Sequence, residues 1–165
     1  MQRHLYFICP TDYLETIIND TFISDNYYLT SLGNSMTFSR STIEQLKLLI
    51  ASKRINNISF ILADNNQIVT NVLAKQSVDL VHDLHAFQHE ITSQEKRAVK
   101  MWQMQNYQIP VLSYYLTLKV DQLKYQLSNS TLNQVEIDAK IYYRDQDIFN
   151  EVSSDLVYHQ QFSLN

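Results

Sequence analysis

The residues of this 165-residue chain with chemical potential are a lone thiol, two aspartates beside strand-like runs, and three histidines in one stretch. Cys9 closes the apolar run His4–Cys9 just before Pro10. Its sharper reading is a remnant metal ligand, or a thiol activated by the N-terminus of a following helix, which favours the thiolate. Its plainer reading, which we favour, is a small buried hydrophobe. Asp64 ends the apolar run Ile58–Ala63, and in open α/β sheets ligands gather beyond such strand ends. Asp64-Asn65-Asn66 is equally ordinary turn chemistry. Asp12, with Glu15 three residues on, resembles a helix start. His82, His85 and His89 fall within roughly 60° of one another on a helical wheel. They oppose the Leu80, Leu84, Phe87 and Ile91 stripe, so they read as a solvated face rather than a metal site.

Composition removes several function classes. Gly33 is the only glycine, where a chain of this size would carry roughly a dozen. A P-loop, a dinucleotide turn and a nucleophile elbow each need more than one. No arginine follows Cys9 closely, so a phosphate-cradling cysteine loop lacks its guanidinium. One cysteine permits no internal disulfide and no multi-cysteine metal site, in keeping with a reducing compartment. A net charge of -4 gives no field for attracting nucleic acid or an anionic membrane. No apolar run reaches the roughly 20 residues that span a bilayer, and no signal peptide is legible. The expectation is a single cytoplasmic domain over 1–165, with neither nucleic acid nor membrane as partner.

The elements that must position these residues are partly legible. His4–Cys9 reads as a buried strand stopped by Pro10, followed by a short helix carrying Leu14, Ile17 and Ile18. Tyr27–Leu32 reads as a second strand ended at Gly33. Ser41 and Glu44 form a capping box for a helix to about Arg54 with Ile43, Leu46, Leu49 and Ile50 on one face. Ile58–Ala63 is a third strand, making a parallel β-α-β unit. Residues 78–105 carry helical period. Val111–Lys119 fits strand and helix alike. Val135–Tyr142 alternates, which predicts an edge or antiparallel strand with one wet face. The paired tyrosines Tyr27, Tyr28, Tyr114, Tyr115, Tyr142 and Tyr143 read as packing between sheet and helices, with a recognition surface as the alternative.

Taken in order, Cys9 at a strand end, Ser31-Leu32-Gly33-Asn34, the helix opening at Ser41-Thr42-Ile43-Glu44, the strand Ile58–Ala63 and the run Ile137–Tyr142 resemble the β-class carbonic anhydrases. That family is a zinc family built on a mostly parallel sheet flanked by helices. The resemblance is collinear over nearly the whole chain and implies a mostly parallel α/β sheet with a C-terminal edge strand. Cys9 falls where the family has the first cysteine of its C-x-D-x-R motif, and Gly33-Asn34 where it has Asn-Ala-Gly-Asn. Ile137–Tyr142 falls where it has Ile-x-Gly-Trp-x-Tyr.

The departures fall on the chemistry. The family's two cysteines and one histidine hold zinc, leaving a water whose pKa the metal lowers toward neutrality. Here the His-x-x-Cys positions read Asp64-Asn65-Asn66-Gln67, and the Asp-Arg dyad falls on Thr11 and Tyr13, with Asp12 one residue off. The resemblance therefore implies a remnant pocket of Cys9, Asp12, Gly33, Asn34, Asp64 and Asn65, no zinc, no carbon dioxide hydration, and action through binding or assembly. It also implies a homodimer. The rival is an enzyme or small-molecule sensor with a pocket rebuilt around Cys9 and Asp64, residual zinc-dependent hydration included.

Overall fold

A computed structural model of the chain describes residues 2–73, 89, 92–93, 96, 108–128 and 134–152. In these, strands β1 (Arg3–Ile8), β2 (Asp25–Thr30), β3 (Asn57–Ala63), β4 (Glu136–Tyr143) and β5 (Ile148–Glu151) form one sheet in the order β2-β1-β3-β4-β5. The first four are parallel and β5 runs antiparallel to β4. Helices α1 (Glu15–Thr21), α2 (Arg40–Lys53), α3 (Gln67–Leu73) and α4 (Gln108–Leu127) flank it.

β1 and β3 read as nearly unbroken apolar runs because both of their faces are covered. Side chains alternate across the pleat. Leu5, Phe7, Cys9, Ile58, Phe60, Leu62, Ile137 and Ile141 therefore share one core with buried residues of α2, α3 and α4. Tyr6, Ile8, Ile61, Ala63 and Tyr142 face the other way, onto Leu14 and Ile18 beside α1. That second face is polar toward the strand starts. There the Ser59 hydroxyl bonds the Asp138 carboxylate and meets His4 Nε2 at 2.7 Å, and Lys140 pairs with Asp138. Burial holds the His4 imidazole down at about 4, so it is neutral at physiological pH.

Several expectations need correction. The second strand is Asp25–Thr30, two residues earlier than read, because Leu32–Asn34 is a 3-10 turn. The cap of α2 is Ser39, not Ser41: Ser39 Oγ accepts from the Thr42 N–H at 3.2 Å, and Ser41 Oγ only joins Ser39 Oγ at 3.0 Å. Replacing Ser39 by alanine should lower the unfolding free energy by about 1 kcal/mol, and Ser41→Ala by under about 0.5 kcal/mol, in paired urea titrations. The run after Pro110 is helical, within α4, whose buried Val111, Leu112, Tyr115, Leu116, Val120, Leu123 and Leu127 recur at helical spacing. β4 is not itself the edge: it pairs in parallel with β3 and, in keeping with the antiparallel alternative, antiparallel with β5, which is the edge. Alternation in β4 arises because Asp138 and Lys140 face the polar half of the second sheet surface, not because the strand lies at the border.

The run 78–105, His82, His85 and the tail after Val152 lie outside the described residues, while His89 is exposed. No described helix is long and apolar enough to cross a membrane.

Candidate functional site

β1 delivers Cys9 to the strand ends, fully buried. The chain then turns through a short 3-10 segment, Pro10–Asp12, begun by proline with its φ pre-set for the turn. Cys9 Sγ accepts the Gly33 backbone N–H at 3.1 Å and shares a hydrogen bond with Thr11 Oγ1 at 3.0 Å. Gly33 sits at φ 58°, where a Cβ would be costly, which explains the single glycine of the chain. Asn34 follows at φ 56°. Its Nδ2 donates to Ile61 O at 3.0 Å and its carbonyl accepts from Tyr115 Oη at 3.0 Å, joining β3 and α4 to this turn. Its buried Oδ1 has no partner among the described residues.

Asp12 caps no helix, contrary to the sequence reading. Its side chain turns inward across the point where the chain order reverses between β1 and β3. Oδ2 accepts the Ala63 N–H at 2.8 Å and Oδ1 accepts Asn66 Nδ2 at 2.8 Å. Asn66 Oδ1 in turn accepts the Val69 N–H at 3.0 Å, so Asn66 is the cap of α3. Burial raises the Asp12 pKa above the ordinary carboxylate range, against its hydrogen bonds to Ala63 and Asn66 and the nearby Arg144 charge.

Asp64 and Asn65 belong to a third set. Asp64 Oδ1 accepts the Arg144 backbone N–H at 3.3 Å, Asn65 Oδ1 accepts Arg144 Nε at 3.3 Å, and Arg144 Nη2 donates to Asp12 O at 2.9 Å. Arg144 thus ties the turn between β4 and β5 to the ends of β1 and β3. The six expected residues lie around one end of the sheet but fall into three hydrogen-bonded clusters. Cys9 and Asp64 bond different partners and share none.

Sequence reasoning assigned no role in the site to Asn66 or Arg144, and read Tyr115 as packing. Asn66 had a signal, an asparagine just before Ile68 and Val69. Arg144 had none, since its bond to Asp12 spans 132 positions. Of the tyrosines, Tyr115 and Tyr142 are buried, and Tyr28 Oη donates to Asn19 Oδ1 at 2.8 Å. Packing describes these three better than a recognition surface does.

No family model and no curated protein sequence matches the chain. Solved structures do. The β-carbonic anhydrase CafD of the filamentous fungus Aspergillus fumigatus superposes with a TM-score of 0.71 at 17% identity, covering 93% of this chain and 90% of that one. A tetrameric β-carbonic anhydrase of Sordaria macrospora gives 0.66 at 11% identity, covering 92% and 81%. The Coccomyxa β-carbonic anhydrase, solved in complex with acetazolamide, gives 0.61 at 12% identity, covering 98% and 83%. The sheet order, its single antiparallel edge and the helices around it are, over more than nine-tenths of the chain, the fold of the β-carbonic anhydrases.

Proposed function

We propose that this chain is a non-catalytic protein on the β-carbonic anhydrase fold, acting by binding or assembly and holding no zinc. The observation that carries the reading is that its candidate donors are held apart: Cys9 bonds Gly33 and Thr11, Asp12 bonds Ala63 and Asn66, and Asp64 bonds Arg144. A catalytic zinc needs three protein ligands converging on one point. Among the described residues no three of His, Cys, Asp and Glu converge on a point. The donor set among the described residues does not fit the ion.

Protein purified from zinc-supplemented culture should contain well under one equivalent of zinc by plasma emission spectroscopy. It should hydrate carbon dioxide no faster than buffer in a stopped-flow assay. Stoichiometric zinc that disappears in Cys9→Ala would revive the enzyme reading. Assembly is taken as a homodimer. Support comes from the fold, one of whose representatives, from Sordaria macrospora, is tetrameric. Light scattering on a sizing column at micromolar concentration should return twice the 19.4 kDa chain mass, and a clean monomer counts against it.

A further inference from the structure

Beside the buried clusters, between α3 and the start of α4, lies an open cleft of about 470 Å³ at the ends of β3 and β4. Its lining includes Asp64, Gln67, Asn71, Gln108, Ile109 and Tyr143. Neither Cys9 nor Asp12 is among its described lining residues; Asp64 and Asn65 are the residues it shares with the expected remnant pocket. The cleft presents several polar side-chain atoms without a hydrogen-bond partner among the described residues. The side chains of Gln67, Asn71 and Tyr143 make no hydrogen bond among the described residues. Gln108 Nε2 spans Asp64 O at 2.8 Å and Thr70 Oγ1 at 3.2 Å, which fixes the amide and leaves its Oε1 as an acceptor. Asp64 uses Oδ1 on the Arg144 N–H and keeps Oδ2.

The chemistry of this lining selects a ligand class. Among the described lining residues Asp64 is the single formal charge, and the nearby Arg144 guanidinium is turned to Asn65 Oδ1 and Asp12 O. A carboxylate with no cation beside it among the described lining residues attracts a cationic group and repels an anion. Amides and a phenol both donate and accept, which complements hydroxyl groups, and the Ile109 side chain with the Tyr143 ring offers an apolar wall to C–H surface.

We propose that this cleft binds a small polyhydroxylated molecule bearing an amine, the chemistry of an amino sugar, with the ammonium on Asp64 and the hydroxyls on Gln67, Asn71, Gln108 and Tyr143. A ligand of that size binds with a roughly millimolar Kd.

The test is an amide chemical-shift titration of the full chain with D-glucosamine, D-glucose and inorganic phosphate. Glucosamine should move the backbone amides of residues 64–71, 108–109 and 143, glucose should move the same set several-fold more weakly, and phosphate should leave them in place. The double variant Gln67→Ala, Asn71→Ala removes no internal hydrogen bond, so it should keep the parent spectrum and melting temperature while weakening glucosamine by about tenfold. Phosphate moving these amides, glucose matching glucosamine, glucosamine moving nothing, or a folded double variant binding as the parent does would each overturn the assignment. An active zinc enzyme that binds its metal without Asp64 would overturn the proposed function and leave this result untouched.

Discussion

Phe60→Ala should lower the unfolding free energy by about 3–5 kcal/mol, read as a shift of the urea midpoint at constant slope. Phe60 lies in the central strand β3 and is 1% exposed. Its ring stacks on Phe7 with centroids 4.6 Å apart and meets the edge of Phe38 at 6.1 Å. Deleting the ring removes the transfer energy of a buried aromatic, loses the stacking, and leaves a void the parallel strands cannot close, since β1 and β4 hold β3 on both sides. A domain of this kind is stable by only about 5–15 kcal/mol, so the change consumes a large share. Phe38→Ala should cost clearly less, because that ring is only partly buried at the rim of the same cluster. Equal losses for the two variants would show that the three rings are not layered as described.

Asp12→Ala should cost about 2–3 kcal/mol, although it removes a charge whose burial is itself unfavourable. The loss comes from the partners left behind: the Ala63 N–H and the buried Asn66 amide would have no acceptor. Asn66 caps α3, so the effect reaches that helix, and amide exchange at Val69 should quicken. Asp12→Asn keeps one acceptor but aims an NH₂ at a donor, and should cost nearly as much.

The pH dependence follows from the raised Asp12 pKa. The folded state binds this proton more tightly than the unfolded chain, whose aspartates titrate at about 4. Its unfavourable contribution is therefore absent below the unfolded value, grows as pH rises through the folded value, and is constant above it. The stability gap between the parent and Asp12→Asn should be widest in acid and narrow toward neutrality. A gap that widens with pH would mean that the hydrogen bonds outweigh burial.

Legibility divides along sequence separation. β1 and β3 are evident as apolar runs because burial on both faces acts on every residue of a strand, and the buried face of α2 because Ile43, Leu46 and Ile50 repeat with the helical turn. The start of α2 was displaced because Ser39 and Ser41 are near-equivalent as caps in sequence, and only backbone geometry chooses between them. Val111–Lys119 stayed ambiguous in a short window. The full 20-residue span of α4, with its buried face on β3 and β4, decides it.

What the amino-acid order alone determined is the class of fold, the strands that cross its centre, and the lack of glycines for nucleotide or nucleophile loops. It also places Asp64-Asn65-Asn66-Gln67, with no histidine or cysteine, directly after the third strand. Those are properties of single positions and short repeats. What only the tertiary structure decided is the role of each remaining side chain. Asp12 could not be read as the acceptor for Ala63 and Asn66 from residues 51 and 54 positions away, nor Arg144 as the tie between three strand ends. Hydrogen bonds of such range are specified by how β1, β3 and β4 lie side by side, which no local pattern records.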